Sequence, residues 1–147
     1  MRPSFVSGVD GRAFSIPTLR YPSAMRRITV FFYGLFMDAE LLRAKGVEPV
    51  NARKASAPGF ALRIGNRATM VRQDGAVVHG MLMDLTHEEI DRLYSEPSVS
   101  MYRPEAIIAD GEPALGFNLI ETPGDDEFNA AYAEKLNALK TRLGLPT

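Results

Sequence analysis

A chain of 147 residues, 46% of them hydrophobic, has the length of one domain and enough apolar side chains for one substantial core. Its 17 basic and 18 acidic residues leave a formal net charge of −1, which excludes a long-range field that would gather nucleic acid or anionic lipid and points to a small-molecule or protein partner. The absence of cysteine excludes disulfides, thiolate metal sites and a cysteine nucleophile and is compatible with a cytoplasmic location, and no apolar run approaches the ~18 residues of a membrane span.

Residues 1–24 mix Gly, Pro, Ser and single charges without the unbroken apolar stretch of a secretory signal, and are read as an N-terminal extension to a domain over 25–147. Met25, followed by Arg26 and Arg27, makes a natural alternative start. The other reading is an ordered arm, anchored by Phe5, Phe14 and Tyr21 on the domain or on a second copy, which would make the protein an arm-exchanging homodimer.

Ile28 to Tyr33 is rich in β-branched and aromatic residues and predicts a buried strand that stops at Gly34. Asp38 then caps a short helix ended by Gly46. From Val50 to Met70 the pattern predicts strand segments broken at Pro58-Gly59 and Gly65-Asn66. Asp74-Gly75 predicts a hairpin, and the strand Val77 to Leu85 carries Gly80 at a place where another backbone or a ligand comes close. Thr86 and Glu89 have the spacing of a capping box, so a helix begins there and ends before Pro97. Two more strands, Tyr102 to Ala109 and Ala114 to Ile120, flank the hairpin signal Asp110-Gly111. Phe128, Tyr132, Leu136, Leu139 and Leu143 then define one face of a final helix, with Asp125-Asp126 at its start and Gly144 at its end. About six strands with two short helices and one longer one predict a mixed α/β (α+β) fold, a small, mostly antiparallel curved sheet or β-barrel with flanking helices.

Few residues offer chemistry. The turn Tyr33-Gly34-Leu35-Phe36 joins a strand to a helix start, where backbone N–H groups without partners can face an anion, although a corner that merely needs glycine reads the same way. Glu96 stands in a helix-to-strand loop, where a carboxylate can overhang a cavity or simply be solvated. His79 and His87 lack the spacing of a helical metal pair; His79 reads as a core histidine and His87 as a solvent-facing one. No serine sits in a nucleophile elbow, and no glycine fingerprint for phosphate is present.

Five segments occur in a recognisable order over residues 28–120: FFYGLFM, Pro58-Gly59-Phe60, the strand VVHGML around Gly80, LTHEEIDRLYSEP, and MYRPEAI. In these the chain resembles the gamma-glutamylcyclotransferase family, and is similar to the bacterial members grouped with AIG2-like proteins. The resemblance implies a small β-barrel with flanking helices. It also implies a cofactor-independent and metal-free release of 5-oxoproline from a γ-glutamyl peptide or γ-glutamylamine, as in glutathione metabolism. By the same resemblance Glu96 is the general acid and base, Tyr33, Gly34, Leu35 and Phe36 hold the substrate, and Tyr102 walls the pocket. Leu35 stands where relatives usually have a small polar residue, Tyr94 where they often have an acidic one, and Pro97 where they commonly have glycine. One alternative keeps the fold as a non-catalytic small-molecule-binding module. Another has a different reaction assisted by His79.

Overall fold

The computed structural model describes residues 26–147. The N-terminal extension, with Phe5, Phe14, Tyr21 and the Met25 start, lies outside the described residues. The elements in chain order are β1 (Ile28–Phe32), a single 3-10 turn (Leu35–Met37), α1 (Ala39–Ala44), β2 (Val50–Ile64), β3 (Ala68–Leu85), α2 (His87–Leu93), β4 (Tyr102–Ala109), β5 (Glu112–Leu119) and α3 (Ala130–Leu143). Among the described residues no helix is long and apolar enough to cross a membrane.

Five strands form one sheet in the order β2-β3-β1-β5-β4, with β1 and β5 parallel and every other pair antiparallel. The mixed, mostly antiparallel architecture is thus as expected, with five strands in place of six. β1 lies at the centre and is buried on both faces, which accounts for its unbroken apolar run. Val30 and Phe32 point into a core shared with Met81, Met83, Leu42, Leu93 and Leu136, while Phe31 and Tyr33 point into a second core with Phe60, Val78 and Leu82. The sheet curls until β2 reaches the β4–β5 turn, where the Ser56 and Asp110 backbones meet through Asp110 N–H to Ser56 O at 3.0 Å. Among the described residues no continuous ladder joins the two edges, so the sheet is curled rather than closed.

The missing strand has a definite cause. Asp74-Gly75 is not a hairpin: β3 runs straight through it, and β2 turns into β3 at Gly65–Arg67 instead, closed by Gly65 N–H to Arg67 O at 2.9 Å. The pairing jumps from Pro58↔Val77 to Phe60↔Arg72, so residues 73–76 bulge out opposite Gly59. Gly59 (φ +83°) and Gly75 (φ +81°) supply the left-handed backbone that this bend needs. The second correction concerns α3, which starts at Ala130 with Asn129 as its cap, its side chain accepting from Tyr132 N–H. Phe128 therefore precedes the helix and is exposed, and Asp125-Asp126 do not enter its first turn.

The other helix signals hold. Asp38 caps α1 by accepting from Glu40 N–H, and Gly144 ends α3 in the left-handed region at φ +76°. The capping box of α2 is complete, with Glu89 N–H to Thr86 Oγ1 at 3.1 Å and Thr86 N–H to Glu89 Oε1 at 2.9 Å. Glu89 also accepts from Glu48 N–H at 2.8 Å and from Arg27 at 3.3 Å. Burial by itself would raise this carboxyl, but these donors outweigh it and hold Glu89 below the usual carboxylate range. A carboxyl depressed in the folded state contributes stability above its unfolded pKa and loses it as pH falls through the folded value. Glu89→Gln is therefore expected to lose about 1–2 kcal/mol at neutral pH. In urea titrations across pH, the gap to wild type should close as the carboxylate range is crossed downward.

Candidate active site

β1 delivers the chain into the Tyr33-Gly34 corner, and Met37 N–H to Gly34 O at 3.0 Å and Asp38 N–H to Leu35 O at 3.1 Å close the turn that follows. Gly34 has φ −110°, a conformation open to any residue, so its glycine is explained by space. A Cβ there would lie 2.7 Å from the Tyr132 hydroxyl. The corner is thus built jointly by β1 and α3.

The Tyr33 hydroxyl is committed inside the protein. It lies 2.6 Å from Phe117 O and 2.9 Å from Asn118 Oδ1. Burial pushes this phenol well above its ordinary range, so it remains a neutral donor. Tyr33→Phe should leave buried acceptors short of a partner and cost about 1–3 kcal/mol of stability. Urea denaturation with an unchanged slope is the check.

Glu96 is presented by a tight turn. After α2 ends, Val99 N–H donates to Glu96 O at 3.0 Å, so Glu96-Pro97-Ser98-Val99 is a β-turn with proline at its second position. Pro97 accordingly rigidifies the backbone beside the carboxylate. Both Glu96 oxygens accept from Lys45 Nζ, at 2.8 and 3.0 Å. Lys45 follows α1, and Arg92 of α2 ties the two helix ends together by donating to Gly46 O at 2.6 Å. With side chains 25% and 38% exposed, the Lys45–Glu96 pair is half solvated and worth roughly 1 kcal/mol or less to stability.

Glu96 and Lys45 stand at a cavity of about 460 Å³. Every residue that the resemblance assigned to the site lines it: Tyr33, Gly34, Leu35, Phe36, Glu96 and Tyr102. Its walls are aromatic. Tyr94 stacks on Phe117 with ring centroids 4.1 Å apart, Phe36 meets Tyr94 edge-on at 5.8 Å, and Tyr102 lies 6.2 Å from Tyr94 and donates to Ala68 O. Burial raises the phenols of Tyr94, Tyr102 and Tyr132 above their ordinary range, so all three present neutral hydroxyls. Tyr94 is thus a wall of the cavity.

Among the lining residues that sequence reasoning missed are Lys45, Arg67 and Tyr132. Lys45 looks locally like any lysine near a helix end. Tyr132 was legible only as part of an apolar helix face. Arg67 sits on the β2–β3 turn, where it donates from Nε to Ser98 O at 2.8 Å. His79 is half-buried but does not line the cavity, and His87 is exposed on α2, away from it.

The family model described as gamma-glutamyl cyclotransferase, AIG2-like, matches residues 30–118, from β1 through most of β5. No curated protein matches the chain significantly. Among solved structures, one named gamma-glutamyl cyclotransferase superposes with a TM-score of 0.61 at 16% identity, covering 82% of each chain. A protein from Arabidopsis thaliana gives a TM-score of 0.58 at 21% identity over 82% of this chain and 87% of its own. An uncharacterized protein from Pyrococcus horikoshii gives 0.57 at 12% identity over 78% of this chain and 97% of its own. At such identities these structures share the fold. With the family match spanning the corner at Gly34, the loop of Glu96 and the sheet between them, the chain belongs to the gamma-glutamyl cyclotransferase, AIG2-like family.

Proposed function

We propose that the protein is a γ-glutamyl cyclotransferase that releases 5-oxoproline from a γ-glutamyl peptide or γ-glutamylamine, with Glu96 as its acid and base. The observation that carries this reading is the placement of one carboxylate at a cavity shared with the Tyr33–Phe36 corner, in a chain of this family. A γ-glutamyl compound contains its own nucleophile, and folding it so that the α-amine meets the γ-carbonyl makes ring closure intramolecular. The α-nitrogen forms a bond to the carbonyl carbon, and the bond from that carbon to the leaving nitrogen breaks. Overall two protons move from the α-ammonium to the leaving amine, and Glu96 carries them in turn. The neutral Tyr132 hydroxyl and the backbone N–H groups of the corner, which line the same cavity as Glu96, would be the donors to the carbonyl oxygen as its charge grows.

A second reading, a binding module without turnover, draws support from the Lys45 ammonium, which engages both oxygens of Glu96. Purified protein incubated with a panel of γ-glutamyl peptides and γ-glutamylamines separates the two. Mass spectrometric detection of 5-oxoproline supports the enzyme and names the leaving group. Ligand-dependent thermal stabilisation without product supports the module.

A further inference from the structure

We infer that Asn118 is a positioning residue for the reaction: through the Tyr33 hydroxyl it fixes where the Tyr33–Phe36 corner stands at the cavity. Its part in turnover rests on the cyclotransferase reading. β1 leaves the sheet just before this corner, since its pairing with β3 ends at Phe32 and its pairing with β5 at Phe31. From there the Tyr33 side chain takes over from the ladder as the tie to β5. Its hydroxyl lies 2.6 Å from Phe117 O and 2.9 Å from Asn118 Oδ1, two acceptors for one proton. A single acceptor lets the phenol swing about that bond, whereas acceptors on two adjacent residues fix it in two directions. The parallel register Val30↔Leu115 and Phe31↔Gly116, carried two residues further, sets Asn118 level with Tyr33. Asn118 itself does not line the cavity, so what it does for the reaction it does through Tyr33.

The amide is suited to this because its orientation is fixed from two sides. Met70 N–H, which can only donate, meets Asn118 Oδ1 at 3.2 Å, and the Glu105 carboxylate accepts from Asn118 Nδ2 at 2.9 Å. A flipped amide would set donor against donor and oxygen against oxygen. Asn118 Oδ1 therefore faces Tyr33, where it can only accept. Glu105 is held in turn by Arg72 Nη2 at 2.8 Å. Arg72 is largely exposed and Asn118 is buried, so the network runs from the surface of the sheet to the wall of the cavity. At such depth a lost partner is not simply replaced by water.

The test compares Asn118→Ala with Tyr33→Phe and with the double variant, each assayed at a temperature where urea titration shows it folded. Asn118→Ala should lower kcat/KM by about ten-fold, within the hundred-fold that an ångström of misplacement can cost. In the Tyr33→Phe background it should lower kcat/KM little further, because the hydroxyl it acts through is gone. Hydrogen exchange gives a second reading that needs no turnover. The Met37 and Asp38 amides, which close the turn on Gly34 O and Leu35 O, should accelerate in Asn118→Ala by a larger factor than the amides of α2. Where Asn118→Ala does not fold, Glu105→Leu takes its place, since it releases the amide without touching Tyr33 or the cavity. Glu105→Gln, which can still accept from Asn118, should then restore wild-type behaviour. Losses that add in the double variant, or exchange that rises by one factor throughout, would overturn the assignment and leave Asn118 a structural contact. If wild type releases no product from any γ-glutamyl compound, the cyclotransferase reading fails on its own. The anchoring of the corner is then judged from the exchange of Met37 and Asp38 in the same variants.

Discussion

Glu96→Gln is expected to leave a folded protein that still binds γ-glutamyl compounds but releases 5-oxoproline at least about a hundred-fold more slowly, the loss typical of a missing general acid or base. The substitution keeps the size and shape of the side chain, and the amide oxygen can still accept one hydrogen bond from Lys45. The half-solvated ion pair contributes roughly 1 kcal/mol or less, so the melting temperature should move little. What disappears is the capacity to take a proton from the α-ammonium and return one to the leaving amine. The effect should therefore fall on kcat, with KM nearly unchanged. Product measured by mass spectrometry, alongside ligand-induced thermal stabilisation, separates the two. A variant that turns over as fast as wild type would remove Glu96 from the chemistry. His79 would not inherit the role, because it does not line the cavity; the tyrosine hydroxyls would be the next candidates.

How far the sequence reached depends on how local each signal is. The capping box of α2 was legible because Thr86 and Glu89 satisfy each other within one turn, and the cap of α1 and the glycine stop of α3 are similarly self-contained. Asp74-Gly75 misled for an instructive reason. A glycine at positive φ serves a hairpin and a bulge equally well, and what distinguishes them here is Gly59, on the partner strand opposite the extra residues. That pairing is visible only once β2 and β3 are aligned. The site divides in the same way. The corner and Glu96 could be found from short segments and a family resemblance, whereas Lys45 reaches Glu96 across 51 positions, through the packing of two helix ends. Tyr132 likewise acquires its place at Gly34 from the docking of α3 and not from anything beside it in the chain.

Gly80→Ala is expected to destabilise the fold by about 3 kcal/mol or more, at or beyond the upper end of ordinary overpacking. An added Cβ would stand 2.3 Å from Phe32 O and 2.9 Å from Cζ of Phe31. Neither neighbour can yield cheaply. Phe32 pairs with Met81 in the β1–β3 ladder, next to Gly80, so moving its carbonyl strains the hydrogen bonds at the centre of the sheet. The Phe31 ring is fully buried in the second core and has no free space to turn into. Gly75→Ala supplies the contrast, since nothing lies within 4 Å of a Cβ there and its φ of +81° is the sole source of strain. That cost should stay near about 1 kcal/mol. Urea titrations of the two variants should show this difference in midpoint with similar slopes. The clash also has a functional direction, because Phe32 immediately precedes the Tyr33-Gly34 corner, and a shift of its carbonyl is passed to the turn that faces Glu96. Gly80→Ala should therefore lose turnover even at temperatures where it remains folded, while Gly75→Ala should not. Equal stability of the two variants would mean that β1 and β3 separate at little cost, and the close approach at Gly80 would then not be what holds the corner in place.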